Sequence, residues 1–233
     1  MDVFGAALKD QFLHQETEIL WLHNSYGEPE EMPLDVFFRT AEEMPELEFI
    51  ALDLCRGRIL DIGAGAGSHA LLLQQKHQDV TALDVSAGAV EVMQQRGVKK
   101  VLKGDIKNHS DERYDTLLLL MNGIGLTGNL EGFKDFLSHA STLLKEGGQL
   151  LFDSSDIAYL YEDSSMPANK YYGQVSYQYI YKGQQGEWFN WLYLDQETLK
   201  ATATACDWSC EILFDDEEDQ YLARLFPPRS LQC

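Results

Sequence analysis

The segment Ile59-Leu-Asp-Ile-Gly-Ala-Gly-Ala-Gly-Ser-His69 constrains this chain more than any other. Arg58–Ile62 has the character of a short buried strand. Glycines at 63, 65 and 67 turn the chain, and helical character runs over His69–Lys76. Without Cβ atoms the backbone takes unusual dihedrals and lets a ligand lie against it. The helix that follows offers free N–H groups at its start. Asp84 ends the next strand, 21 residues after Gly63. An acid about 20 residues beyond such a turn is where doubly wound sheets hold ribose hydroxyls.

The spacing is not that of a dinucleotide site. The pattern G-x-G-x-x-G/A, which seats a pyrophosphate on the helix N-terminus, would place its third small residue at 68. That position is Ser68, and Gly67 comes one residue early. Asp61 stands where dehydrogenase strands are apolar, and a carboxylate there suits a cationic ligand better than a pyrophosphate.

Strand and helix signals alternate onward. Val80–Asp84, Val98–Lys103, Tyr114–Met121 and Gln149–Asp153 read as strands; Ala87–Arg96 and Leu130–Lys145 read as helices closed by glycines. Tyr114–Met121 is apolar throughout, as a strand buried on both faces should be. Such alternation predicts an α/β, Rossmann-like, doubly wound and mostly parallel sheet.

The flanks read differently. Residues 2–22 and 40–54 have mixed helical periodicity around a polar stretch, Asn24 to Asp35, which predicts a helical N-terminal segment. Tyr171–Tyr181 alternates, Gly183–Gly186 reads as a turn and Trp188–Leu194 as a second aromatic strand, together an antiparallel hairpin. Leu199–Cys206 reads as a helix. Trp208–Phe214 and Gln220–Phe226 read as a last antiparallel pair around the acidic loop Asp215–Asp219. The expected units are an N-terminal cap, 1–55, and a ligand-binding domain, 56–233, with an insertion at about 160–195.

Charge divides the same way. The net charge is −20. Residues 1–50 hold 12 acids and 2 bases, residues 51–150 hold 12 and 11, and residues 151–233 hold 14 and 5. Nucleic-acid backbones and anionic membranes are bound through Lys and Arg, so both are disfavoured as partners. The opening residues lack a basic leader before an apolar run, and Leu117–Met121 is too short to span a bilayer, which predicts a cytoplasmic protein. Cys55, Cys206, Cys210 and Cys233 complete no zinc spacing and read as ordinary thiols of a reducing compartment; no metal site is expected.

"ILDIGAGAG" followed by "LDVS" resembles the first two motifs of class I S-adenosylmethionine-dependent methyltransferases, over roughly residues 56–153. The resemblance implies S-adenosylmethionine as cofactor. It carries Asp61, Gly63, Ala64, Gly65 and Gly67 onto the methionine part, with Asp61 near the ammonium. Asp84, followed by Val85, is carried onto the ribose diol. Asp105 and Ile106 of "GDI" are carried onto the adenine, and Asn122 of "MNGIG" onto the next cofactor-facing loop.

Methyl transfer from a sulfonium is an in-line displacement in which the protein supplies proximity and orientation, so no catalytic triad is required, and none stands out. Acceptor-side candidates are Arg39, Asp153, Tyr172 and Trp188. Arg39, one of the two bases in the first 50 residues, is expected to meet a carboxylate of cofactor or substrate. His69 faces either the methyl site or the packing. Asp156 either caps the helical stretch Ile157–Tyr161 or touches substrate. The aromatic hairpin is either a lid over the acceptor or a homodimer surface. The leading expectation is methyl transfer to a small molecule. A methyltransferase for basic polypeptides and a non-catalytic binding module stay open beside it.

Overall fold

The computed structural model describes residues 1–14, 18–110, 112–162, 165–216 and 218–228. Cys233, and Glu217 of the expected acidic loop, lie outside them. The chain opens with α1 (Val3–His14), β1 (Leu20–Asn24), β2 (Glu30–Met32) and α2 (Glu46–Leu54). The middle follows as β3 (Arg58–Ile62), α3 (Ser68–Gln75), β4 (Asp79–Asp84), α4 (Ala87–Arg96), β5 (Val101–Lys103), β6 (Tyr114–Leu119), α5 (Leu130–Leu143) and β7 (Leu144–Ser155). The insertion holds β8 (Gln174–Tyr181), β9 (Gln184–Gln185) and β10 (Phe189–Leu192). The end is α6 (Gln196–Ala205), β11 (Ser209–Asp215) and β12 (Gln220–Phe226).

The main sheet runs β11-β12-β7-β6-β3-β4-β5. Its five strands from β7 to β5 are parallel, and β12 pairs antiparallel with β7 and β11. This is the Rossmann-like, mostly parallel sheet with an antiparallel end expected from the sequence. Both faces are covered, so the inner strands are apolar on both parities. Leu60, Leu117 and Leu150 pack with α5 and α6, while Ile59, Leu118 and Leu151 pack with α2, α3 and α4. On α5, Phe133, Phe136, Leu137 and Ala140 follow the three-to-four-residue helical spacing and are buried. Each fully buried large side chain contributes about 1.5–3 kcal/mol.

A second sheet runs β10-β8-β1-β2, with β9 paired to β8. The N-terminal segment supplies the expected helices but also two strands that its periodicity does not announce. Their partner is far along the chain: Trp21 lies opposite Ile180 and Leu22 opposite Tyr179. The hairpin turn is tighter than the expected Gly183–Gly186. Lys182 and Gly183 both take positive φ, 49° and 71°, and Tyr181 pairs directly with Gln184. Two such residues match the right-handed twist of flanking strands.

The second sheet is seated on the first through α1. A Cβ on Gly88 would stand 2.4 Å from the Gly5 carbonyl, so the helices α1 and α4 meet backbone to backbone. The Asp2 carboxylate accepts from Gly5 N (2.9 Å), Ser86 Oγ (2.8 Å) and Gly88 N (2.9 Å), tying both helix starts together. Among the described residues, no helix is long and apolar enough to cross a membrane.

Candidate active site

Strand order departs in opposite directions from β3: β4 and β5 lie to one side, β6 and β7 to the other. Ligands of doubly wound sheets sit outside the carboxyl ends of the strands at such a switch point. The glycine turn occupies that place. Gly63, Gly65 and Gly67 take φ of 73°, 56° and 83°, values that side chains with a Cβ resist. Gly63 N and Ala64 N donate to Leu83 O, at 2.9 and 3.1 Å, which joins the turn to the end of β4.

Asp84 completes the turn. Its carboxylate accepts from Gly65 N (2.9 Å) and Ser86 N (2.8 Å) and is buried. Burial raises its pKa, and the two N–H donors pull the other way. Val85 beside it is exposed. Asp105 is exposed on the neighbouring loop, where it accepts from Lys107 N at 2.9 Å and caps a short turn. Ile106 is buried beneath it.

Asp61, the penultimate residue of β3, lies beneath the turn, 2 % exposed, and its Oδ2 atom has no hydrogen-bond partner. Burial pushes its carboxyl up to about 6, the neighbouring His69 pulls it down, and Asp84 raises it again. His69, on the first turn of α3, is buried and donates through Nε2 to Glu48 Oε2 at 2.8 Å. Burial lowers its pKa, but Glu48 and Asp61 together outweigh that and hold it above its ordinary value. The other Glu48 oxygen, Oε1, accepts from Arg39 Nη2. Arg39 therefore meets a carboxylate of the protein itself, and its Nε is buried without a partner.

The loop after β6 closes the crevice from the other side. Met121 and Asn122 both take left-handed backbone, φ 61° and 54°, and Asn122 N donates to both oxygens of Asp153, each at 3.0 Å. Gln220 Nε2 donates to the same carboxylate at 2.9 Å. Asp153 is thus committed to holding a strained loop on β7, buried, with its pKa raised to about 6 by that burial. The Asn122 side chain is turned to Ser155 Oγ, at 3.2 Å.

A row of aromatic rings joins the glycine turn to the second sheet. Phe37 sits 3.4 Å from where a Gly65 Cβ would be, and Phe4 packs edge-on against it. Tyr179 stacks on Phe4 at 5.1–5.3 Å spacing of the rings along this row. Across the crevice Trp191 packs so closely on Gly125 that a Cβ there would stand 2.0 Å from its indole nitrogen. The hairpin thus packs on the post-β6 loop directly through Trp191 and reaches the glycine turn through Phe4 and Phe37 of the N-terminal segment. Of the acceptor-side candidates on the hairpin, Trp188 is exposed, while the Tyr172 ring packs against the Val175 and Tyr177 cluster and its hydroxyl donates to Asp156 Oδ1 at 2.6 Å.

A family model described as a methyltransferase domain matches residues 59–148. A structure of an S-adenosylmethionine-dependent methyltransferase from Bacteroides fragilis, in complex with S-adenosylhomocysteine, is 39 % identical. The match covers 97 % of this chain and 95 % of that one, with a TM-score of 0.91. The chain belongs to the S-adenosylmethionine-dependent methyltransferases. The CcbJ methyltransferase from Streptomyces caelestis shares the fold at 14 % identity, a TM-score of 0.66 and coverage of 97 % and 98 %. A methyltransferase from Clostridium acetobutylicum shares it at 15 % identity, 0.56 and coverage of 77 % and 87 %. No curated protein matches in sequence.

Two features of this methyltransferase escape sequence reading. One is Glu48, whose partners Arg39 and His69 lie 9 and 21 residues away. An acid in the first turn of α2 reads as an ordinary helix-dipole residue, and nothing local signals that it is buried. The other is a ladder of hydroxyls along the second sheet. Tyr193 and Tyr177 meet at 3.2 Å, Tyr177 and Tyr26 at 3.1 Å, and Tyr26 donates to Glu30 Oε1 at 2.8 Å. Burial holds all three phenols in their protonated form. The methyltransferase also has a cavity of about 600 Å³ outside the crevice, lined by Asp156, Asp195, Glu197, Asp215, Glu218 and Asp219 among others. Its lining, which also includes Tyr172 and Tyr221, shares no residue with the glycine turn.

Proposed function

We propose that this methyltransferase binds S-adenosylmethionine across the glycine turn and moves its methyl group to a small neutral or cationic acceptor held under the aromatic lid. The observation that carries the reading is Asp61: a buried carboxylate oxygen with no partner, directly beneath the turn. A buried unpaired acceptor is costly unless a ligand supplies a donor, and the cofactor's ammonium is such a donor. Gly63, Ala64, Gly65 and Gly67 pass under the methionine part. Asp84, whose carboxylate is already oriented by two backbone N–H groups, accepts from the ribose hydroxyls. Val85, Asp105, Ile106 and Asn122 line the nucleoside side.

The reaction is an in-line displacement. The methyl–sulfur bond breaks as the methyl–acceptor bond forms, and the sulfonium leaves as a neutral thioether. Proximity and alignment under the lid supply the acceleration. The Glu30–Tyr26–Tyr177–Tyr193 ladder offers the acceptor hydroxyl partners and a carboxylate. Calorimetric titration with S-adenosylhomocysteine tests the cofactor part. Wild-type protein should bind it and Asp61→Asn should weaken it; equal affinity would sink the assignment of Asp61.

The acid-lined cavity favours a second reading, a basic polypeptide as acceptor, because its carboxylates would steer cations. Methylation measured with radiolabelled cofactor across added salt separates the two. Activity that collapses with salt supports the basic polypeptide.

A further inference from the structure

Arg39 Nε and Asp61 Oδ2 are the buried side-chain polar atoms that lack a partner among the described residues. They belong to one line of alternating charges. Arg39 meets Glu48, Glu48 meets His69, and His69 lies within electrostatic range of Asp61. Arg39 comes from the N-terminal segment, Glu48 from α2, His69 from α3 and Asp61 from β3, so the line sews three elements to the strand beneath the turn. The Glu48 side chain is 6 % exposed and His69 9 %.

We propose that Glu48 is a positioning residue for the cofactor's amino-acid end. Its Oε1 fixes the Arg39 guanidinium so that Nε is presented to the cofactor's carboxylate, and its Oε2 is locked by His69 at the glycine turn. The proposal rests on the cofactor reading above. The chemistry matches at both ends of the line: a free N–H donor suits a carboxylate, and a free carboxylate oxygen suits an ammonium. An α-amino acid carries both. A buried ion pair adds little stability over apolar side chains of the same volume. A line of four with its two end atoms unsatisfied is therefore poorly explained as a stabilising device. The α2 N-terminus and the two cations make the buried carboxylate tolerable. The same segment is pinned to the turn independently, since Ser68 Oγ donates to Phe37 O at 2.8 Å. Glu48 is thus free to aim Arg39 rather than to anchor the segment alone.

The test compares S-adenosylhomocysteine with 5′-methylthioadenosine, which keeps the nucleoside and thioether but lacks the amino-acid end. Both are titrated by calorimetry into wild-type protein, Arg39→Gln, Glu48→Gln, Glu48→Asp and the Arg39→Gln/Glu48→Gln double variant, with melting followed by circular dichroism. Each Gln variant should weaken S-adenosylhomocysteine by about tenfold, the scale of one charge-assisted hydrogen bond, and leave 5′-methylthioadenosine unchanged. The double variant should be no weaker than the weaker single variant, because the two residues act as one. Glu48→Asp should recover part of the loss. Equal weakening of both ligands by Glu48→Gln, or additive losses in the double variant, would overturn the proposal. If Glu48→Gln does not fold, Arg39→Lys decides. It keeps the charge but lacks Nε, so it should lose as much as Arg39→Gln; full affinity would overturn the proposal. Wild-type protein that binds neither ligand would overturn the cofactor reading itself, a different result from any of these.

Discussion

The two sheets of this molecule are built by opposite rules. In the main sheet β3, β4 and β6 are each followed by a helix and then by the neighbouring strand, so most contacts are local and cores form on both faces. In the second sheet β1 and β2 come from the start of the chain and β8 to β10 from the insertion after β7. The main sheet carries Asp61, the glycine turn and Asp84. The second carries the aromatic face above them. In the proposed function this difference divides the labour: the first sheet sets the cofactor's frame, and the second sets what meets the methyl group.

The largest effect should come from the main sheet's core. Phe133 is fully buried between α5 and the sheet, edge-on to Phe152. Phe133→Ala should cost about 3–5 kcal/mol, read as a lower urea midpoint with an unchanged slope. A loss below about 1 kcal/mol would mean that α5 is not part of the common core.

Next comes the cofactor frame. Asp84→Ala removes the acceptor proposed for the ribose hydroxyls and leaves Gly65 N and Ser86 N without their partner. Affinity for S-adenosylhomocysteine should fall by about 1.5–3 kcal/mol in calorimetry. Unchanged affinity would place the nucleoside elsewhere.

The third prediction concerns pH. Burial raises the Asp61 carboxyl from 3.8 to about 6. The folded free protein then holds a proton that the unfolded chain has lost, so this group's contribution to stability declines as pH rises from about 4 to 6. Cofactor binding has the opposite sign, because an ammonium needs the ionised carboxylate. Affinity for S-adenosylhomocysteine should therefore rise about tenfold from pH 5 to pH 7 and then level off. Asp153 also titrates at about 6, so the control is Asp61→Asn, which should flatten the rise. A rise that survives in Asp61→Asn would assign it to Asp153 instead.

The sequence exposes these two regions unequally, for a physical reason. Strand–helix alternation, the glycine spacing and an acid 21 residues on are local patterns, so the parallel sheet, Asp61 and Asp84 are readable. Pairing of Trp21 with Ile180 is not, because a short polar strand such as Glu30–Met32 acquires its conformation only from a distant partner. Arg39 shows the same limit within the site. Its rarity in an acidic segment suggests a carboxylate of cofactor or substrate; the contact observed is with Glu48, which no local pattern names. Trp188 shares the aromatic character of the hairpin with Tyr177 and Tyr193, and composition cannot sort which rings face inward. The register does: Val175 and Tyr177 alternate onto the inner face of β8.

The smallest effect sharpens the comparison most. The Tyr177 hydroxyl lies between those of Tyr26 and Tyr193, at 3.1 and 3.2 Å. Tyr177→Phe keeps the ring, and with it the packing against Phe189, but cuts the ladder that ends on Glu30. Stability should fall by about 0.5–1.5 kcal/mol, the net value of an ordinary hydrogen bond. If the second sheet serves the acceptor alone, S-adenosylhomocysteine affinity should not move with it, in contrast to Asp84→Ala. A drop in that affinity as large as the Asp84→Ala loss would mean that the lid also holds the cofactor. The two sheets would then share one site, without a division between frame and acceptor.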